Sequence, residues 1–338
     1  MVSVEETVEA APPSRTRAQI GFAIRLLLGA GLLGFLLSRV DRAALFHQLA
    51  RERPAYFLAA TMLYIAGQMV AAFRWRYLAR MLALRGSYFE FLVYYFVGVF
   101  TNLFVPSLVA GDAARALYLG RRKGHIGRAA ATVAADRMSG LLALFWFAAT
   151  CVAIFGRTIL PRSMLILILA IGVASMLAFV AMPMVLRAID LMPARFSKLS
   201  ATLAPYLGRP LALLPAIGLS LILHSSQVVC QYLLALGLGM KIPFWFFLVC
   251  VPPANFFATM PITPNGLGVR EGLYIYLFSL IGVPKADAVA LGLLWFTSAI
   301  LSGCLCGSAA FMIAKTTPET APEESAGVDT EQKSAALN

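Results

Sequence analysis

Long apolar runs constrain this chain more than any other feature of its sequence. A membrane-spanning helix needs about 20 mostly apolar residues, and six runs reach or approach that length. They cover residues 20–37, 54–73, 139–155, 164–186, 211–236 and 288–314. Apolar residues make up 60% of the chain and charged residues only 13%, too few to cover the surface of a soluble protein. The sequence therefore predicts an all-α polytopic membrane protein.

Two further apolar stretches, residues 88–118 and 243–281, are too long for one span and are interrupted by Pro, Gly and charged residues. Because Pro removes a backbone donor and Gly tolerates unusual backbone angles, we expect the helices to break there. The predicted breaks are Pro106, Gly111, Pro261, Pro264, Gly266 and Gly268. The preferred fold has about six full spans plus two re-entrant or broken helical hairpins. The alternative is an eight-span protein in which these stretches cross.

The distribution of basic residues favours the hairpins. The net charge is +12, but the cations lie between apolar runs, where they orient spans and contact anionic headgroups rather than nucleic acid. With two hairpins and a cytoplasmic N-terminus, about twice as many Lys and Arg residues face the cytoplasm as face outside. If both stretches crossed, the basic loop around Arg121, Arg122 and Lys123 would face outside. We therefore expect a multi-pass protein of the cell (inner) membrane with both termini cytoplasmic.

The chain divides into four segments. We expect a disordered cytoplasmic tail at residues 1–18, two membrane halves at 19–156 and 157–315, and a disordered acidic tail at 316–338. Both halves have the order span, span, hairpin, span, so an odd number of crossings gives them opposite orientations. Phe91-Leu92-Val93 followed by Asn102 is echoed by Phe247-Leu248-Val249 followed by Asn255. This pattern suggests an inverted repeat, as in many transporters; two kinked helices without symmetry are the alternative.

Ionisable residues at membrane depth are the candidate functional residues. Each costs about 2.5–3.5 kcal/mol at a helix centre, so it persists when it is paired or faces water. The predicted substrate-binding residues are Asn102, Asp112, Arg115, Asp136, Arg137, Asn265, Arg270 and Glu271. Asp112 and Arg115 share one helical face. Arg270 lies beside an opened helix start and offers a guanidinium to a phosphate. We expect both broken stretches to bring these groups into one shared pocket.

Other polar residues have simpler interpretations. Arg74-Trp75-Arg76 is typical of an anchor at the membrane interface. His224 lies within a span beside Ser225 and Ser226, and we expect it to join helices rather than to relay protons. Neither a metal-ligand spacing nor a nucleotide-hydrolysis motif is visible, so we expect no metal and no cofactor.

Three motifs resemble the flippase-like transmembrane domain of the lysylphosphatidylglycerol synthase family. They are Gly111-Asp112-Ala113-Ala114-Arg115, Asp136-Arg137-Met138-Ser139-Gly140, and Pro261 followed by Pro264-Asn265-Gly266-Leu267-Gly268-Val269-Arg270-Glu271. The resemblance covers about residues 20–315 and implies a polytopic domain that translocates lipids, or is proposed to do so. The aminoacyl-transfer domain of the full synthases has no counterpart in this sequence, so we do not expect lysyl-lipid synthesis.

The expected function is the transport of a membrane lipid between leaflets. The cargo would be an anionic or zwitterionic phospholipid or a lipid-linked sugar. The alternative is a non-transporting subunit that presents lipid to a separate synthase or glycosyltransferase; the sequence also allows a homo-oligomer. An enzyme is less favoured, because an aspartyl dyad of Asp112 and Asp136 must share a proton, whereas each of these residues has an arginine nearby in sequence. A lipid-modifying transferase that uses Glu271 has no supporting catalytic cluster.

Overall fold

A computed structural model describes residues 40–104, 110–191, 197–259 and 268–316, with a few single positions between residues 27 and 38. The regular structure of these residues is entirely helical, which confirms the predicted all-α class. Among the predicted breaks, Pro106, Pro261, Pro264 and Gly266 lie outside the described residues, as does Asn265. Residues 1–26 and 317–338 also lie outside them.

The helices in this part of the chain have the following bounds. They are α1 Arg42–Ala50, α2 Pro54–Met81, α3 Tyr88–Phe104, α4 Ala110–Lys123, α5 Ile126–Phe155, α6 Arg162–Val180, α7 Met182–Asp190, α8 Ser197–Leu207, α9 Leu214–Gly237, α10 Phe244–Thr259, α11 Val269–Ser279, α12 Lys285–Ser302 and α13 Ser308–Thr316. A 3₁₀ turn at Pro210–Leu213 precedes α9, and a π-helical turn at Gly303–Gly307 joins α12 to α13.

Five helical stretches in the described residues are long and apolar enough to cross a membrane. They are Pro54–Met81, Ile126–Phe155, Arg162–Val180, Pro210–Gly237 and Lys285–Ala314. Each overlaps one of the predicted runs, and Pro54–Met81 and Ile126–Phe155 are longer than predicted. Most of the remaining run, 20–37, lies outside the described residues. The chain is therefore a multi-pass membrane protein.

The first broken stretch folds back on itself. Arg122 near the end of α4 lies 3.3 Å from Glu90 near the start of α3, and one step further in, the rings of Tyr94 and Tyr118 stack with centroids 5.5 Å apart. Such pairing requires α3 and α4 to run antiparallel. The 17 residues of α3 span about 26 Å at 1.5 Å per residue, less than the hydrocarbon thickness of about 30 Å.

Two glycines allow the closed end of this hairpin to form. Gly98 of α3 and Gly111 of α4 meet backbone to backbone: a Cβ at Gly111 would overlap the carbonyl oxygen of Gly98 and lie 2.6 Å from Asn102 Nδ2. Asn102 Oδ1 accepts a hydrogen bond from the Gly111 N–H at 2.8 Å. The amide at the start of α4 is thereby satisfied inside the protein, as membrane depth requires.

The second broken stretch is also an antiparallel hairpin. The rings of Phe246 and Phe247 in α10 lie 5.3 and 5.8 Å from that of Phe278 in α11, and Tyr274 one turn earlier lies near Cys250. Gly268, with a φ of 81°, is the N-cap of α11. This backbone conformation is available to glycine at little cost.

Helices α2 and α9 cross at the centre of the protein. The Cys230 thiol donates to the carbonyl of Ala60 at 3.3 Å, and Arg74 Nη1 donates to Ser220 Oγ at 2.7 Å. The contact that lies later in α2 lies earlier in α9, so the two helices are antiparallel. The hairpin α3–α4 packs beside α2, and α10–α11 packs beside α9.

Candidate functional site

Arg115, in the first turns of α4, lies at the centre of an ionic cluster. Its side chain is only 5% exposed. Nη1 donates to Asp136 Oδ2 at 2.9 Å, and Nη2 lies 2.9 Å from Asp112 Oδ1. The rings of Trp75 and Tyr95 each lie with their centroids 5.2 Å from the guanidinium carbon. Two carboxylates and two aromatic rings therefore stabilise this buried cation.

Asp136 of α5 is shared by two arginines. Its Oδ1 accepts from Arg74 Nε at 2.8 Å, while its Oδ2 accepts from Arg115. Both Asp136 and Arg74 are buried, and Ser220 of α9 provides the hydrogen-bond acceptor for Arg74 Nη1. Because isolated buried charges are costly, this pairing is what makes ionised side chains tolerable at this depth.

Arg74 is the site residue that sequence reasoning missed. The expected interfacial anchor is wrong for both Arg74 and Trp75: Arg74 is buried in the cluster, and the buried Trp75 donates to Thr132 Oγ1 at 2.9 Å. The available signal was helix length, because α2 continues to Met81, two turns beyond the predicted run. Arg74 therefore lies within a helix rather than at its end.

Arg137 and Asp112 lie at the mouth of the cluster. Arg137 Nε and Nη2 donate to the two oxygens of Asp112 at 2.8 and 3.1 Å, a two-pronged ion pair. The Arg137 side chain is 55% exposed, against 16% for Asp112. The buried cluster therefore reaches the protein surface through this ion pair.

The cluster carries an excess of positive charge. Three guanidinium groups, those of Arg74, Arg115 and Arg137, surround the two carboxylates of Asp112 and Asp136, which leaves one positive charge. Arg115 Nε also has no hydrogen-bond partner among the described residues. An anion entering from the mouth would meet this uncompensated charge.

These residues border a partly open pocket. Its lining consists of Arg74, Tyr95, Gly98, Val99, Asn102, Gly111, Asp112, Arg115, Asp136 and Arg137. The space for the centres of water-sized molecules is about 90 Å³, whereas one water needs about 10–15 Å³ on this measure. The pocket therefore has room for a phosphate-sized group. Among the predicted site residues it brings together Asn102, Asp112, Arg115, Asp136 and Arg137.

Arg270 and Glu271 are not part of that lining. The Arg270 guanidinium lies over the Trp295 ring, 5.7 Å from its centroid, and its Nε has no partner in the described part of the chain. Glu271 is buried and accepts a hydrogen bond from the Gly268 N–H at 2.6 Å. The expected shared pocket therefore holds the charged groups of the first hairpin without Arg270 and Glu271, which pack within the second hairpin and against α12.

The remaining polar interpretations can be compared with the geometry. His224 Nε2 lies 3.1 Å from the Gly140 carbonyl oxygen, which confirms that it joins two helices. Asp112 and Asp136 bind different nitrogens of Arg115, an arrangement of ion pairs rather than of a shared proton. Among the described residues, no group of three His, Cys, Asp or Glu side chains is arranged to hold a metal ion.

Comparison with known proteins agrees with this membrane architecture. A family model described as "Lysylphosphatidylglycerol synthase TM region" matches residues 22–307. A relative, the UPF0104 membrane protein PH1989 of Pyrococcus horikoshii, is 22% identical over 303 residues, which cover 80% of this chain and 90% of the relative. No solved structure matches the chain significantly.

Proposed function

The chain belongs to the lysylphosphatidylglycerol synthase TM region family, as its motifs predicted, and from this membership and its charged pocket we propose that it moves a lipid headgroup between the two leaflets of a membrane. The cargo is a phospholipid or another lipid with a phosphate-containing headgroup. The observation that carries the proposal is the excess positive charge of the pocket that Arg74, Arg115 and Arg137 surround.

The physical difficulty of lipid transfer explains why such a pocket is needed. A charged or zwitterionic headgroup cannot cross about 30 Å of hydrocarbon cheaply. Guanidinium groups and amides within a protein can replace the water that the headgroup loses, while the acyl chains stay in the bilayer. The small volume of the pocket suits this division, because it admits a phosphate but not a whole lipid.

The mouth residues receive specific roles. Arg137 offers a planar pair of donors that matches a phosphate, and Arg115 supplies a second positive charge deeper in the lining. Asp112 can release Arg137 to the phosphate because Arg115 still pairs with it, and it can then face the amine of a zwitterionic headgroup. On the second hairpin, Arg270 is a further phosphate contact, with its own Nε free.

The two halves also form an inverted repeat. Support comes from pairs of contacting residues in the first half. Adding one constant number to both residues of such a pair gives two residues that also lie close together in the second half. The pair Glu90–Arg122 corresponds to Phe246–Phe278, and Tyr94–Tyr118 corresponds to Cys250–Tyr274. At a shift differing by at most one residue, the edge-to-face pair Trp75–Phe91 corresponds to Tyr232–Phe247.

The packing of helices supports the same relation. Helix α5 packs against α9 and α10 of the other half. Its counterpart α12 packs against α2, the counterpart of α9. The π-helical turn that continues α12 packs against α3, the counterpart of α10. Because the equivalent helices α2 and α9 are antiparallel, the two hairpins enter the membrane from opposite faces. This arrangement suits alternating access to two leaflets. The distribution of Lys and Arg then favours cytoplasmic termini in the cell (inner) membrane.

Leaflet exchange of labelled anionic phospholipid in proteoliposomes tests the proposal. Arg137→Gln removes the excess charge while Asp112 keeps its partner Arg115, so the fold is expected to survive. We expect exchange to fall by tenfold or more, which corresponds to about 1.4 kcal/mol of lost interaction.

Arg128→Gln is the matched control, because it removes the same charge from an exposed position of the same helix outside the pocket lining. Equal rates for the wild type and both variants would contradict the assignment of the pocket. Retained lipid binding without any exchange by the wild-type protein would favour a subunit that presents lipid to a separate enzyme.

A further inference from the structure

The second half contains a counterpart of the ionic cluster with its charge reversed. The same shift in residue number that relates the two hairpins carries Arg115 to Glu271, Asp136 to Gly292 and Asp112 to Gly268. The contacts correspond as well: Arg115 touches Asp136 and Asp112, and Glu271 touches Gly292 and the Gly268 N–H. A buried carboxylate thus occupies the position that a buried guanidinium occupies in the first half.

Glycine at position 292 makes room for this carboxylate. A Cβ on Gly292 would lie 2.8 Å from Glu271 Cγ and 3.0 Å from its Oε1, so any larger residue would displace the acid. In the first half the equivalent residue, Asp136, supplies the counter-charge. In the second half that counter-charge is missing, and Glu271 forms no ion pair within the described ranges.

Two fully buried polar side chains of the second half have no partners in the described residues. In the helices α2 and α9 the shift in residue number is one residue longer, as for Trp75 and Tyr232. With this shift, Gln231 is the counterpart of Arg74. Both amide atoms of Gln231 and the hydroxyl of Tyr274 are buried without a hydrogen-bond partner in the described part of the chain. Tyr274 lies one turn after Glu271 on the same helix and near it. Buried polar groups without partners are costly, so each of them calls for a polar partner.

From these correspondences we infer that Glu271, Gln231 and Tyr274 hold a sodium ion. A carboxylate, an amide oxygen and a hydroxyl are hard oxygen donors, which suit such a cation. The inference rests on the internal repeat proposed above, but not on lipid transport. It gives the second hairpin a cation site where the first hairpin has an anion site.

Glu271 is the carboxylate that binds the cation, because the ionisable groups near it include no other acid of this kind among the described residues. The other ionisable groups near it are Arg270 and Tyr274 on its own helix, Cys250 on α10, and Tyr64 on α2, which interacts with Arg270. Arg270 is directed at the Trp295 ring, and α12 brings no ionisable side chain to the cluster among the described residues that contact it. The cation therefore neutralises Glu271.

Thermal unfolding of the purified full-length protein in detergent measures this binding without any lipid assay. At a sodium concentration ten times the Kd, and at constant ionic strength set with choline chloride, the melting temperature of the wild-type protein rises by about 2–4 °C. Glu271→Gln, which keeps the side-chain shape and the bond to Gly268, abolishes the rise. Asp287→Asn, which removes an acid from the same half outside the cluster, retains it.

The inference is overturned if the wild-type protein and Glu271→Gln respond alike to sodium.

Gln231→Leu provides a second test that does not depend on the folding of Glu271→Gln. It removes the unpartnered amide, so the protein without the cation keeps or gains stability. The sodium concentration at the midpoint of binding rises at least tenfold. An unchanged sodium midpoint in Gln231→Leu would also overturn the assignment, whatever the outcome of the leaflet-exchange measurement.

Discussion

Asp136 is the residue on which the ionic cluster depends. It is the one carboxylate that two buried guanidinium groups, those of Arg74 and Arg115, share in the described structure. Its removal would leave the two buried cations close together, with Asp112 as the remaining carboxylate paired to Arg115. Arg137, by contrast, is more than half exposed and pairs at the mouth of the pocket. The two positions therefore differ sharply in what they contribute to stability.

We predict that Asp136→Asn lowers the free energy of unfolding by about 3–5 kcal/mol, because breaking a buried ion pair leaves uncompensated charge. Arg137→Ala should cost about 1 kcal/mol or less, as is usual for exposed pairs. Unfolding in mild detergent, followed by helical circular dichroism, measures both. Similar losses in the two variants would show that the cluster is solvated rather than buried.

At this scale the sequence identified the acids more reliably than their partners. Ionisable residues among apolar ones stand out, so Asp112, Arg115, Asp136 and Arg137 could be recognised. Arg74 and its acceptor Ser220 could not, because their meeting depends on the crossing of α2 and α9, which brings together residues far apart in sequence. A cation at the end of an apolar run is usually interfacial, and here the helix continues beyond it.

The first hairpin depends on the close approach of Gly98 and Gly111. Any side chain at Gly111 would overlap the backbone of α3 and crowd Asn102. Separation of α3 from α4 would also move Asp112 and Arg115, which follow in the first turns of α4. The geometry of the pocket is therefore set by a backbone contact at the tip of the hairpin.

We predict that Gly111→Ala destabilises the protein by at least about 1–3 kcal/mol, the usual cost of overpacking, and weakens binding of anionic lipid. Gly127→Ala in α5 is the matched control, because a Cβ at Gly127 would meet no atom within 4 Å. Melting temperatures of the two variants provide the comparison. A Gly111→Ala protein as stable as Gly127→Ala would mean that the hairpin is not closed in the way described.

Prolines, glycines and charges predicted that the two stretches would be interrupted, since an exposed backbone cannot lie in hydrocarbon. They could not predict which residues would pair across each hairpin. That register follows from stacked tyrosines, an ion pair and a two-glycine contact in the first hairpin, and from a phenylalanine cluster in the second. Apolar side chains are interchangeable in sequence patterns but not in packing.

Across the whole molecule, Glu52 links the beginning of the first half to the end of α9. Both of its carboxylate oxygens are buried without a partner in the described residues, and they contact Gly237. Gln48 strengthens this junction by donating to the Leu238 carbonyl at 2.8 Å. Burial raises the pKa of Glu52 to about 7, well above the usual range of a glutamate.

We predict that this junction makes stability depend on pH. Because the pKa of Glu52 is higher in the folded than in the unfolded protein, the folded state holds more protons between about pH 4.5 and 7, so stability falls as pH rises through that interval. The melting temperature should decrease accordingly, and Glu52→Gln should flatten the dependence on pH. A variant with the slope of the wild-type protein would show that Glu52 is solvated.

The membrane class, the apolar runs and the family could be recognised from the sequence, because the hydrocarbon environment dictates composition and length. The absence of Arg270 and Glu271 from the lining of the first hairpin's pocket could not be recognised. Sequence analysis places Arg270 and Glu271 beside the same kind of break as Asp112 and Arg115. Only the packing of the second hairpin against α12 gives them Trp295 and Gly292 as neighbours.

Selective retention of anionic lipid is the most direct test of the central claim, that the pocket between α2, α5 and the first hairpin holds a headgroup phosphate. Native mass spectrometry of the protein, purified from mixed anionic and neutral lipids, counts the molecules that remain bound. The account predicts that the wild-type protein and Arg128→Gln retain anionic lipid preferentially and that Arg137→Gln loses the preference. The same preference in all three proteins, or in none, would contradict it.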